Sequence, residues 1–318
     1  MVRAVFATLM LVASFACWSQ SYPARAVKIV VPFAVGGPAD IYGRFIGAKL
    51  SETLGQAFVI ENRPGGGAVI GTDAVAKSAA DGYTLLLMSN THTVNETLIP
   101  KKSYDLERDL APISGINYSD LILVIHPSVE ANNLRELLAM AKAYPGKLFY
   151  ASSGPGTPYH MAGELFKHMA GVDIVHVPHK GSDQARIATL GAQVHMMFDA
   201  ITTMAPQARA GRVRALGTTG KSRSAITPEM PTVSEAGVKG YEATIWLGLM
   251  APAATPRPIL DRLSAEVNKV VNAPEVKEAW AKQGAAPMGM SVDEFRKFLS
   301  ADVQKWSKLV KETGMKVN

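Results

Sequence analysis

The chain of 318 residues holds a single cysteine, Cys17, so no disulfide can form within it and its stability rests on core size. Charged residues are scarce at 19%, while hydrophobic residues reach 47%, which excludes a disordered or collagen-like chain. Aromatic residues are only 7%, and no stripe of Arg and Lys interleaves with them. With that pattern missing, nucleic acid is not expected as a partner, despite a formal net charge of +6. Beyond the first twenty residues no apolar run approaches the roughly 18 residues that a membrane-spanning helix requires. Catalytic and metal signatures are missing as well. There is no G-x-S-x-G elbow, no His-Glu-x-x-His and no cysteine pair, and the triglycine at Gly65-Gly66-Gly67 lacks the following Lys-Ser/Thr of a P-loop. His176, His179 and His195 are the densest imidazoles, but their spacing does not make a metal site.

What is present begins with a secretory pattern. Arg3 precedes an apolar stretch from Ala4 to Ala16, and Ser14-Phe15-Ala16 supplies small residues at the positions a signal peptidase reads. Residues 1–20 are therefore expected to be a signal peptide, which places the mature protein in the periplasm. Cleavage before Cys17 and cleavage near Ser19 to Ser21 both fit; only the first leaves Cys17 as a lipid acceptor, and Phe15 is bulky for that role.

The remaining length suits two domains. Compact apolar strands (Val27 to Pro32, Thr84 to Met88, Leu121 to Ile125) alternate with helical stretches, the signature of parallel sheets covered on both faces. Extended runs near 119–125 and 243–250 mark two crossings between halves. The expected organisation is residues 21–120 plus 247–318 as one lobe and 121–246 as the other, hinged on the crossing strands. A Ser291…Glu294 capping box opens the final helix.

Two segments share one design. Pro32-Phe33-Ala34-Val35-Gly36-Gly37-Pro38-Ala39-Asp40 and Ser152-Ser153-Gly154-Pro155-Gly156-Thr157-Pro158-Tyr159-His160 each follow an apolar strand and open a helix. Each has proline in the first helical turn, where its missing N–H costs nothing. The first amides of a helix are unpaired and carry partial positive charge, and glycine lets a ligand approach them. A carboxylate or phosphate is the natural occupant of such a turn, and two turns on facing lobes would grip one anion from both sides. Asp40 and Thr157 are the expected helix caps. Ser89, Asn90, Thr91 and Asp199 stand at predicted strand C-termini, where open α/β sheets bind ligands. Lys180-Gly181 follows Val177-Pro178 and is read first as a solvated loop, with the border of the cleft as the alternative, and Trp246 is read as packing on the hinge strand. Ser153, His160 and Asp199 are the residue types of a hydrolytic triad, but without an elbow they do not make an enzyme.

These residues resemble the solute-binding proteins of tripartite tricarboxylate transporters, the Bug or TctC family. The similarity runs from Tyr22-Pro23 through the two turns, Glu61-Asn62-Arg63-Pro64-Gly65-Gly66-Gly67, Asp81-Gly82-Tyr83-Thr84-Leu85 and Pro178-His179-Lys180-Gly181 to Pro231-Thr232-Val233-Ser234-Glu235-Ala236-Gly237. The resemblance implies an α/β, two-lobed periplasmic-binding-protein fold of the type II, Venus-flytrap kind. It implies a monomer that needs no cofactor or metal and holds a small carboxylate through backbone amides, hydroxyls and ordered waters. It carries over Phe33, Gly36, Gly37, Ser89, Ser153, Gly156, Thr157 and Asp199 as pocket residues, with Asp40, Asn90 and His160 in support. The implied partners are integral membrane transporter subunits, or alternatively a sensor kinase. Val35, His179 and Ala200 depart from the family pattern and bear on the far half of the pocket.

Overall fold

The computed structural model describes residues 22–315. The expected signal segment and Cys17 lie outside them. In chain order the elements are β1 (Val27–Val31), α1 (Pro38–Leu54), β2 (Phe58–Asn62), α2 (Val69–Ala76), β3 (Thr84–Ser89), α3 (Asn90–Leu98), α4 (Leu106–Asp109) and β4 (Leu110–Ile125). There follow α5 (Leu134–Ala143), β5 (Leu148–Ser152), α6 (Pro158–Ala170), β6 (Ile174–Pro178), α7 (Ser182–Leu190), β7 (Met196–Ala200), α8 (Ile201–Arg209) and β8 (Arg214–Thr218). The chain ends in β9 (Thr244–Pro252), α9 (Arg257–Asn272), α10 (Pro274–Ala281), β10 (Ala285–Pro287) and α11 (Val292–Thr313). None of the described helices is long and apolar enough to cross a membrane.

The strands run in the order β2-β1-β3-β9-β4-β7-β5-β6, with β8 and β10 also pairing with β4. The triplets β2-β1-β3 and β7-β5-β6 are parallel, as the apolar runs imply. Between them β9 and β4 run antiparallel to their neighbours, so the sheets are mixed rather than purely parallel.

β4 is longer than its apolar stretch suggests. Residues Leu110 to Asp120 pair with β9, and Leu121 to Ile125 pair with β7 and β8. Packing divides at the same place. One core takes buried side chains only between Leu121 and Ile245, whereas two others take them from Val27–Ile116 and from Trp246–Leu299. The chain thus forms two α/β lobes. In the first, α1 buries Tyr42, Ile46 and Leu50 beside Leu263 and Val267 of α9. α11, opened by the Ser291–Glu294 capping box, packs Phe295 and Leu299 against the first lobe. Farther along, its Trp306, Leu309 and Val310 meet Val94 and Leu98 of α3 and Met161 of α6, an apolar clasp between lobes.

Asp120 sits at the crossing, paired in register with Thr244, and Glu242 faces it from the second crossing segment. Burial and the Glu242 charge push its carboxyl up to about 6. In the unfolded chain an aspartate titrates near 3.9. Between about pH 4 and pH 6 the unfolded state therefore loses this proton first, and the group's contribution to stability falls as pH rises. The full displacement corresponds to about 1–3 kcal/mol. Urea melts should show Asp120→Asn gaining on the native protein between pH 4 and pH 7. An advantage that does not change with pH would mean that Asp120 titrates like a solvated carboxylate.

Candidate functional site

A cavity of about 490 Å³ lies between the lobes, where strand C-termini meet helix starts. Gly37, Pro38 and Ala39 at the start of α1 and Thr157, Pro158 and Tyr159 at the start of α6 line it from opposite lobes. Ala68 before α2, Ser89 before α3, and Gly181 and Ser182 at α7 add three further helix starts. The first-turn amides of α1, α6 and α7 thus face one space, whereas at α2 Val69 and Ile70 donate to the Gly66 and Gly65 carbonyls and at α3 Thr91 donates to Ser89 Oγ; each free helix start favours negative charge by a few tenths of a kcal/mol up to about 1 kcal/mol. Among the described residues, no Asp or Glu lines the cavity, and Lys180 is its one fully charged side chain.

The two turns are built alike. The Gly36 amide donates to Asp40 Oδ2 at 3.1 Å, and the Gly156 amide donates to His160 Nδ1 at 3.1 Å. In each turn a side chain in the first helical turn reaches back and fixes the glycine before the N-cap. Asp40 is therefore not the cap expected from the sequence; the N-cap is Gly37, which makes no side-chain bond. Thr157 is an N-cap by position, but its hydroxyl donates backward to Gly154 O at 2.7 Å. That proton is committed to the turn and is not free for a ligand.

Charge states suit these roles. Burial disfavours ionised Asp40, yet hydrogen bonds from Arg44 and the Gly36 amide outweigh it and hold the carboxyl below its usual range. Burial first, and the Lys167 charge second, lower His160 to about 4, so it is neutral and its Nδ1 accepts. Its ring stacks on His176 at 4.1 Å between centroids, and His176 Nε2 lies 2.6 Å from Ser152 Oγ. The second turn is thus braced from behind by a neutral imidazole pair.

Of the residues named from sequence, Phe33, Gly37, Ser89, Ser153 and Thr157 line the cavity. Ser89 Oγ accepts from the Thr91 amide at 3.2 Å, which leaves its proton free to donate. The Ser153 hydroxyl has no hydrogen bond to any described residue. Gly36 and Gly156 stand behind the wall because their amides point to Asp40 and His160. Asn90 donates to Thr244 O at 3.0 Å and ties α3 to the crossing strand. Asp199 is absent from the wall. It is fully buried, its Oδ2 accepts from Arg186 Nε at 2.7 Å, and its Oδ1 accepts from the Ala200 amide at 2.8 Å. Both oxygens are occupied, so its expected contact with a ligand is replaced by a structural one. Ser153, His160 and Asp199 are not assembled as a triad, since His160 serves Gly156 and Asp199 serves Arg186.

Sequence reasoning passed over the triglycine loop as a cavity wall. Gly65, Gly66 and Gly67 all line it with positive φ, just before α2. The signal was present in Arg63-Pro64-Gly65-Gly66-Gly67 ahead of a helix. Tyr159 and Ser182 were missed with no comparable signal.

The turns also close the cleft. A Cβ on Gly156 would lie 3.0 Å from Asn95 Oδ1 and 3.1 Å from Leu98 Cδ2 of α3, in the other lobe. At the opposite junction, a Cβ on Gly36 would lie 3.0 Å from Asp183 Oδ2, and one on Gly37 would lie 3.3 Å from Ser182 Oγ. The cavity runs between these two interlobe contacts.

Two α/β lobes joined by crossing strands, with an anion-favouring cavity closed between them, define a solute receptor of the periplasmic-binding-protein class. Comparison with known proteins agrees. BugT of Bordetella pertussis is 38% identical over 301 residues, covering 94% of this chain and 92% of that protein. Among solved structures, Rpa4515 of R. palustris with adipate superposes with a TM-score of 0.89 at 34% identity, covering 92% of this chain and 98% of that one. MatC of Rhodopseudomonas palustris with bound malate gives 0.85 at 30%, covering 91% of this chain and 100% of that one. The family model for the tripartite tricarboxylate transporter family receptor matches residues 43–315, and the chain belongs to that family of non-enzymatic solute receptors.

Proposed function

We propose that this receptor works in the periplasm, where it captures a small carboxylate between its lobes and presents it to the integral membrane subunits of a tripartite-type transporter. The lobes are residues 21–120 plus 247–318 and residues 121–246, turning about β4 and the segment leading into β9. The observation that carries the reading is the cavity wall, which combines converging helix starts and the free hydroxyls of Ser89 and Ser153 with no acidic side chain. Every one of these groups favours an anion that accepts hydrogen bonds. The adipate and malate in the two relatives agree with that chemistry.

Ligand would bind one lobe and draw the population toward the closed form, the shape a membrane partner reads. At about 100 times its dissociation constant, a true ligand stabilises the protein by about 2.7 kcal/mol. A thermal-shift panel of mono-, di- and tricarboxylates and aromatic acids should therefore show a few strong upward shifts against a flat background. Uniform silence across the panel would refute the carboxylate reading.

A further inference from the structure

A chain of polar side chains holds the first turn from behind the cavity wall. Asn62 ends β2, and its Nδ2 donates to Phe33 O at 3.2 Å. Its Oδ1 accepts from Arg44 Nη2 at 3.0 Å, and the same nitrogen pairs with Asp40 Oδ1 at 2.9 Å. Asp40 Oδ2 in turn accepts from the Gly36 amide. The peptide after Phe33 and the peptide before Gly36 are thus fixed by one relay, Asn62–Arg44–Asp40. It joins β2, α1 and the turn, and neither Arg44 nor Asn62 lines the cavity.

What the relay fixes is the direction of backbone amides. A trans peptide is planar, with its C=O and N–H on opposite sides. Asn62 holds the Phe33 carbonyl, so the Ala34 N–H points away from Asn62. Ala34 lines the cavity, and its amide forms no hydrogen bond with a described residue. Phe33 also lines the cavity, and its ring rests edge-on against His92 with centroids 5.9 Å apart. The glycines at 36 and 37 leave this turn little stiffness of its own. The outer end of the relay contributes little to folding, because the Arg44 side chain is 53% exposed and exposed pairs are weak. Its consequence is for the shape of the turn.

We infer that Arg44 and Asn62 are positioning residues for ligand capture: they set the Phe33–Gly36 backbone before a ligand arrives, although neither touches it. Resting on the carboxylate reading above, the inference adds what keeps the donors of the first lobe in place. A turn already in its bound shape loses less freedom when the ligand binds, and that difference appears as affinity. The second turn has its own brace in His160 and in Ser152, whose Oγ accepts from the Gly154 amide at 3.1 Å. Each lobe therefore sets its own half of the grip.

Isothermal titration of the purified chain with the mono-, di- and tricarboxylates and aromatic acids of the panel above tests this, together with hydrogen exchange of the ligand-free protein. Asn62→Leu removes both bonds of Asn62 and should weaken the tightest acid by about fivefold to tenfold, the effect of one hydrogen bond. Its ligand-free melting temperature should stay at the native value, while exchange should rise in residues 33–37 alone. Arg44→Met should weaken binding by a similar factor, and Arg44→Lys, which keeps a charged donor between Asp40 and Asn62, should recover most of the loss. The double variant Arg44→Met/Asn62→Leu should bind no more weakly than the weaker single variant, because one relay is broken once. Arg63→Met removes an equal charge from the exposed pair with Glu61 and should bind as the native protein does. If acids bind and Asn62→Leu and Arg44→Met match the native affinity, the positioning role is wrong while the carboxylate reading stands. A lower melting temperature and faster exchange throughout the first lobe in Asn62→Leu would equally overturn it, since the loss would then be one of folding. If no acid binds the native protein, the carboxylate reading itself falls and the positioning role with it.

Discussion

Gly156→Val should raise the dissociation constant for any ligand of the cleft by about a hundredfold or more while both lobes stay folded. Gly156 has φ +73°, a backbone conformation that L residues enter at a cost of roughly 1–2 kcal/mol. The larger effect is steric and lies between lobes. Already the first carbon of a side chain would stand 3.0 Å from Asn95 Oδ1 and 3.1 Å from Leu98 Cδ2. Asn95 cannot easily retreat, because its Nδ2 donates to Gly67 O at 2.7 Å. Relief is available by opening the cleft, so the clash is charged to the closed state alone. A penalty of about 3 kcal/mol on that state reduces apparent affinity by about a hundredfold. Gly171→Ala is the matching control. Gly171 has φ +61° at the end of α6, but nothing lies within 4 Å of its Cβ position. It should lose about 1 kcal/mol of stability and leave affinity unchanged. Calorimetry with small-angle scattering reads both quantities, and a Gly156→Val protein that still binds and compacts as the native one does would mean that this turn does not dock when ligand is held.

The two strand–turn–helix segments were legible because their grammar is local. Proline in the first helical turn, glycine before it and a polar residue three positions into the helix each act within one turn of chain. Sequence could therefore locate the turns but not the direction of their bonds. Whether Asp40 caps its helix or reaches back to the Gly36 amide depends on a positive φ at Gly36, which glycine permits and does not dictate. The first half of β4 was hidden for a different reason. Two register shifts, between Pro112 and Ser114 and between Gly115 and Asn117, break the alternation that would mark a strand. α3 was hidden because Asn90–Leu98 is mostly polar; it is held by a box in which Ser89 and His92 exchange bonds with each other's backbone amides. Asp199 is set by a partner that its own stretch of chain does not contain. A strand C-terminus in an α/β fold is a good place for a ligand group, but the arginine that occupies Asp199 comes from α7, and no local pattern announces such a partner.

That arginine gives the second large effect. Arg186→Met should destabilise the protein by about 3–5 kcal/mol at pH 7, because it strands a fully buried carboxylate whose other contact is one backbone amide. Adding Asp199→Leu should recover most of the loss, since an apolar pair of similar volume replaces an ion pair that was expensive to bury. The pH dependence separates charge from packing. Burial raises the Asp199 carboxyl even with Arg186 beside it, and removing the guanidinium takes away the main opposing influence. The folded-state pKa of the single variant then stands further above the unfolded value near 3.9. An acid with a raised folded-state pKa is most at ease protonated, so the deficit should shrink as pH falls from 7 toward 4. Urea midpoints for the single and double variants at pH 7 and pH 5 measure this. Equal deficits at the two pH values would assign the loss to the packing of the Arg186 stem, and the Asp199 charge would then carry none of it.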